Sequence, residues 1–227
     1  MTRNARDRRA MIAGLGTAVA AVAIGTPKAS AQAASKFQPA RHAQDAWLDA
    51  LPGKHRSFID AATVVGAGQA LLYANNLYEA NKNGYQLTDK DVAVVICYRH
   101  FATAFAFNDA IWAKYGGVMS MALEFTDPKT KAAPTTNLYK SSDAYGMALQ
   151  NFGNTIDGVT KRGTQFAVCD LATHFFAGAI AMATGGMPDA VYAELKGNLI
   201  PNSHLMAAGV LAVNRAQEHD YTLLTTL

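Results

Sequence analysis

Eight residues near the middle of the chain, Asp91–Tyr98 (DVAVVICY), constrain the fold most. Their β-branched, unbroken apolar core lacks the polar alternation of a strand that has one face in water. Such a strand is buried on both faces, which requires a parallel sheet covered by helices on each side. The flanking pattern agrees. Arg56–Ala61 reads as a weaker strand, and Leu71, Leu72, Leu77 and Tyr78 then recur at helical spacing until Asn83-Gly84 supplies a left-handed stop. Phe101–Tyr115 returns to helical period and stops at Gly116-Gly117. Thr164–Cys169 is a strand, with Asp170 as cap of a helix over Leu171–Ala183. A short helix at Pro188–Leu195, a brief strand at His204–Met206, a helix from Gly209 to His219 and a last strand at Tyr221–Thr225 complete the series. Strand and helix in this alternation predict one α/β domain, an open, mainly parallel sheet with helices on both faces.

Two segments interrupt the alternation. Between Thr126 and Asp143 the chain is rich in Pro, Thr, Lys and Ser, without periodicity, as expected of a lid, a binding loop or a mobile insert. Its lysines, Lys129, Lys131 and Lys140, read as solvated loop residues. Asp143 then resembles a cap, and Tyr145, Leu149, Phe152, Ile156 and Val159 follow at spacings of an amphipathic helix closed by Gly163.

The N-terminus reads as an address. Basic residues at 3–9 lead into Ala10–Gly25, a soft apolar run. As a helix it would rise about 24 Å, short of the ~30 Å hydrocarbon core. Ala29-Ser30-Ala31 or Ala31-Gln32-Ala33 then supplies small residues for a signal peptidase. Arg8-Arg9 before Ala10-Met11-Ile12 resembles the twin-arginine export motif, although Met11, Ile12 and Ala13 replace its usual Phe, Leu and Lys. Residues 1–31 are therefore expected to be an export signal, 32–53 an arm with a helical turn near Ala43–Leu51, and 54–227 the folded domain, carrying an insert at 117–143. The expected location is periplasmic or otherwise exported, with no stable membrane span after cleavage.

Charge follows from this division. The chain carries a formal +3, while residues 1–31 hold five basic residues against one acid, a charge of +4. The remaining 196 residues are thus at −1. Such a domain gives no footprint for nucleic acid, and small molecules or other subunits are the expected partners.

In an open parallel sheet, ligands bind beyond the carboxyl ends of the strands. The residues placed there are Arg99 and His100, then Cys169 and Asp170, then Asn202 and His204 around the brief fourth strand. Cys169 is the strongest candidate. A thiol at a strand-to-helix junction meets the partial positive charge of the helix N-terminus, which favours the nucleophilic thiolate. A buried small side chain ending a strand is the competing reading. Asp170 fits a helix cap, and His174 lies about 500° further round the helix, so it need not face the thiol. Cys97, inside the apolar strand, reads as inert core. If strands two and three flank strand one, their backbones are about 9–10 Å apart, beyond the ~7 Å reach of a disulfide between Cys97 and Cys169. His100, Cys169 and His204 could compose a metal site chemically, but no spacing demands one, and no cofactor is expected. Gly66-Ala67-Gly68 resembles the start of a dinucleotide loop, with Leu71 in the place of its third glycine.

The stretch Gly163–Leu224, in the order GTQFAVC, helix, LIPNSHLM, AAGVLAVNRAQEHDYTLL, is similar to the C-terminal half of DsrE/DsrF-like proteins. His219-Asp220-Tyr221 replaces the usual Gly before Tyr, and KHRSFIDA and DVAVVICYRHFATAFAFNDAIWAKYG are compatible with the family's first two βα units. With the export signal, the chain resembles an exported branch of that family. The resemblance implies a flavodoxin-like five-stranded sheet, assembly as a homo-oligomer with a trimer favoured, and a Cys matching Cys169 that receives and passes a persulfide sulfur. The insert at 117–143 lies outside the minimal family pattern, and relay members work in the cytoplasm with carrier partners. Several family members lack sulfur transfer, so the resemblance implies fold more directly than chemistry. Three functions remain open: a sulfur carrier or thiol-redox protein acting through Cys169, a non-catalytic module for a small ligand or metal, and a structural oligomer.

Overall fold

Five parallel strands form one sheet in the order β4-β3-β2-β1-β5. The computed structural model describes residues 38–141 and 144–226; the expected export signal and the Asp143 cap lie outside the described residues. The strands are β1 (His55–Ala61), β2 (Val92–Tyr98), β3 (Gln165–Cys169), β4 (Ser203–Met206) and β5 (Thr222–Thr226). The α-helices among the described residues are α1 (Ala46–Ala50), α2 (Val64–Tyr85), α3 (Asp109–Leu123), α4 (Ile156–Lys161), α5 (Asp170–Thr184), α6 (Pro188–Gly197) and α7 (Gly209–Glu218). The described residues form an α/β domain with an open, all-parallel, flavodoxin-like sheet.

Alternation along the central strands divides the core in two. Ile59, Val94, Ile96, Tyr98, Phe166 and Val168 face α2, α3, α5 and α6. Phe58, Val95, Cys97 and Ala167 face the other way, against α7 and Leu48 of α1. Every residue of β2 is buried, as its composition requires. The chain order explains the asymmetry. The crossovers β1→β2→β3→β4 all step the same way and leave their helices on the first face. The return from β4 to β5 steps back and puts α7 on the second. Leu48 helps to fill that thinner layer, its carbonyl held by Arg56 Nη1 at 2.9 Å and Tyr221 Oη at 2.8 Å. Among the described residues, no helix is long and apolar enough to cross a membrane.

Several elements differ from expectation, each for a local reason. The α2 helix begins at Val64, capped by Thr63 Oγ1 on the Gly66 amide at 2.8 Å. Gly66-Ala67-Gly68 is therefore a helical turn and not a dinucleotide loop; a Cβ at Gly68 would press on the backbone at Gln150 and Asn151. The same helix runs through Asn83-Gly84, and the left-handed residue is Gln86 (φ 58°). After β2 the chain forms a 3-10 segment, His100–Ala106, before α3, which continues through Gly116-Gly117 to Leu123. Gly116 is there for close approach: a Cβ would overlap the Pro134 carbonyl.

No continuous helix spans 145–159. A 3-10 turn at Gly146–Ala148 and left-handed backbone at Phe152 and Gly153 precede α4, which Thr155 caps. Asn151 and Asn154 exchange side-chain-to-carbonyl bonds across that turn, the alternative to helix that asparagine offers. Leu149 buries from the turned segment before α4, and Ile156 and Val159 from α4, so the apolar spacing was continuous while the helix was not.

The insert at 117–143 is also not a free lid over its described residues. Its first part finishes α3, and Phe125, Leu138 and Tyr139 join the first core. Asn137 pins it down. Its Nδ2 donates to the carbonyls of Phe105 (2.8 Å) and Phe107 (2.9 Å), and its Oδ1 accepts from the Tyr139 amide at 3.1 Å. Lys140 is an ion-pair residue and not a solvated one, 3.3 Å from Asp109 and 3.8 Å from Asp157.

Candidate functional site

The chain leaves β3 toward the first face of the sheet and leaves β4 toward the second. Where adjacent connections part in this way, a crevice opens at the carboxyl ends of the strands. The structure has a cavity of about 570 Å3 there. Arg99, His100 and Phe101 enter it from the end of β2, and Cys169, Leu171, Ala172 and Phe175 from β3 and α5. Ala208, Gly209 and Val210 enter from the start of α7.

Cys169 is the last residue of β3 and the N-cap of α5, where its Sγ accepts the Ala172 amide at 3.4 Å. Asp170 is therefore the first residue of the helix and not its cap. Its Oδ1 accepts from Tyr192 Oη at 2.9 Å, and its Oδ2 lies 4.0 Å from His174 Nε2. Thr173 Oγ1 donates to the Cys169 carbonyl at 2.9 Å and ties the next turn to the strand. Cys169 as a residue is 6% exposed, and Arg99 lines the same cavity.

Arg99 is held from below. Its Nε and Nη2 donate to the two oxygens of Asp60, at 2.7 and 2.9 Å, in a two-pronged ion pair. Asp60 is buried near the carboxyl end of β1, and the bond to it holds the guanidinium above its usual pKa. Gly209 closes over the pair: a Cβ there would overlap the Arg99 side chain, so α7 can begin this close only with glycine. The other walls, Phe101, Leu171, Phe175 and Val210, are apolar, and Leu171, Phe175 and Val210 are exposed at 65%, 57% and 67%.

Cys97 points to the same face of the sheet as Cys169 but lies deeper. The strand order makes β2 and β3 neighbours, so the condition of two strands flanking β1 is not met, and Cys97 pairs in register with Ala167. Cys169 is therefore a diagonal neighbour, about 8 Å away from standard strand spacing and still beyond disulfide reach. Both thiols are free. Cys97 is fully buried, with Sγ 3.8 Å from the Gly209 carbonyl, and burial pushes its thiol well above the ordinary range.

The structure gathers only part of the expected set. Arg99, His100 and Cys169 share the cavity; His100 is exposed, with left-handed backbone (φ 51°) and its ring 4.2 Å from that of Phe101. Asp170 lines a smaller cavity of about 240 Å3 beside it, with Asp45 and Met206. Asn202 precedes β4, and His204 is its second residue, in register with Ala167 of β3, so neither reaches the carboxyl edge. Asn202 donates to the Thr164 carbonyl at 3.1 Å. His204 stacks on Trp47 with ring centres 3.8 Å apart and bonds Gln165 at 3.1 Å, and burial lowers its pKa. A metal site of His100, Cys169 and His204 is thus not assembled. Among the described residues, no group of three or more His, Cys, Asp or Glu could hold a metal ion.

Asp60, Gly209 and the apolar walls went unread in the sequence. The AAG that follows SHLM was the available signal, a run of small residues at a strand-to-helix junction on the correct edge. Compared with family models, with curated proteins and with solved structures, the chain matches none.

Proposed function

We propose that this chain is an exported, DsrE-like protein that carries sulfur, or exchanges thiols, through Cys169. One observation carries the reading: of the two free thiols, Cys169 lines the cavity at the carboxyl edge of the sheet, while Cys97 is sealed beneath it. Its Sγ accepts an amide of the first turn of α5, which aims the sulfur at the start of the helix. In the step proposed, Cys169 loses its proton to solvent and the thiolate attacks the outer sulfur of a persulfide, R–S–SH. An S–S bond forms to Cys169 while the donor's own RS–SH bond breaks, and R–S⁻ leaves with the electron pair. The proton stays on the transferred sulfur, so no oxidant or reductant enters. The leaving thiolate takes its proton from solvent, and His100, exposed in the cavity wall, offers it a hydrogen-bonding group. Assembly as a homo-oligomer, a trimer by family resemblance, and a sulfur-carrying partner protein belong to the same reading.

Intact-mass measurement after incubation with a persulfide donor tests it. The wild type is expected to gain one sulfur atom, removable by a thiol reductant, and Cys169→Ser to gain none. Ser accepts the same amide bond, so the variant should keep the wild-type unfolding midpoint. A wild type that gains nothing, or a Cys169→Ser that gains as much, rejects the reading. A second reading, a non-catalytic binding module, is favoured by the size and apolar lining of the same cavity.

A further inference from the structure

The cavity is far larger than a sulfur atom needs. Its volume, about 570 Å3, lies within the range of sites that enclose small organic molecules. Three facts restrict what such a molecule can be. Arg99 is the cation in the wall, and both carboxylate oxygens of Asp60 hold it, so the pair adds no net charge. A Cys169 thiolate would itself bring a negative charge, and a second anion beside it would meet repulsion with no uncommitted cation to offset it. Apart from His100, the remaining side chains of the wall, Phe101, Leu171, Phe175 and Val210 among them, offer apolar surface, much of it exposed at the rim.

We infer that the cavity selects a low-mass persulfide with an uncharged, apolar organic part, whose hydrocarbon lies against Phe101, Leu171, Phe175 and Val210 while its outer sulfur meets Cys169. Inorganic sulfur anions are disfavoured. This rests on the reactive-Cys169 reading above and adds the substrate class. Exposed Leu171, Phe175 and Val210 at the mouth are then the part of the wall that ligand covers.

Methanethiosulfonate reagents test the class directly, since each leaves a disulfide on the attacking thiol and releases methanesulfinate. Rates at Cys169 are measured for benzyl, sulfonatoethyl and trimethylammonioethyl reagents and divided by those of free cysteine. The benzyl reagent is expected to lead the two charged ones by about tenfold, the factor that burial of one aromatic group readily supplies. Phe175→Ala should lower that lead several-fold. Val210→Lys, at an exposed rim position, should raise the sulfonate rate about fivefold, as a new cation within ~4 Å at the surface would. Equal normalised rates, or a lead for either charged reagent, would overturn the class while leaving sulfur uptake by Cys169 intact. Protection of Cys169 from all three reagents that rises with protein concentration would assign the apolar rim to a second copy and overturn it as well. A folded protein whose Cys169 resists every reagent at any dilution would remove the underlying reading too.

Discussion

Asp60→Ala is expected to cost about 3 kcal/mol of folding stability and to disorder the floor of the cavity. Removing one member of a buried ion pair costs about 3–5 kcal/mol, because the partner charge is stranded away from water. The lower figure applies because the Arg99 side chain keeps 28% of its exposure, against 8% for Asp60, and can turn partly into solvent. Asp60 holds the guanidinium, and Gly209 packs over the aliphatic part of the same side chain. Once released it would leave its place under α7. Urea unfolding of the wild type, Asp60→Ala, Arg99→Met and the double variant checks this. The double variant should be more stable than Asp60→Ala alone, since no charge is then left unpaired. Losses that simply add would mean the two side chains act independently and the floor is not a unit.

Asn137→Leu is expected to cost at least about 3 kcal/mol. The side chain is buried and makes three bonds to the main chain, each worth about 1 kcal/mol net, with a further penalty for carbonyls left unsatisfied. The effect should reach the cavity. Asn137 holds the carbonyls of Phe105 and Phe107, the far end of the 3-10 segment that begins at His100. Hydrogen exchange should therefore accelerate across residues 100–107 as well as in the insert. A loss below about 0.5 kcal/mol, the range of ordinary surface changes, would mean the insert is a loop laid over the domain rather than a clamp on it.

Sequence logic worked wherever burial alone decides structure. The apolar run at Val92–Tyr98 and the alternation of strands with helices determined the class of sheet. The boundaries of β3, β4, α5 and α7 were within a residue or two. It misled where one residue type serves two purposes. Gly116 and Gly68 permit close packing in places that composition reads as stops or loops. The apolar spacing from Tyr145 to Val159 mimicked one continuous helix because a turned segment and the short α4 bury against one core.

The site was half visible. Arg99, His100 and Cys169 follow from knowing that ligands bind past the ends of parallel strands. Asn202 and His204 were misplaced by strand polarity: the four residues of β4 rise about 13 Å, so its two ends open onto different edges of the sheet. Strand order was beyond reach, since it depends on pairings between segments far apart in sequence. Asp60, held to Arg99 across 39 positions, shares that cause.

The central claim is that the fold separates two cysteines into one that reacts and one that only packs. Peptide-resolved alkylation of the native, full chain by a small uncharged reagent tests it most directly. Cys169 should be modified well before Cys97, with Cys97 labelled only at the rate of global unfolding, because it is fully buried and its thiol is pushed up. Equal labelling of the two, or Cys97 first, would contradict the account.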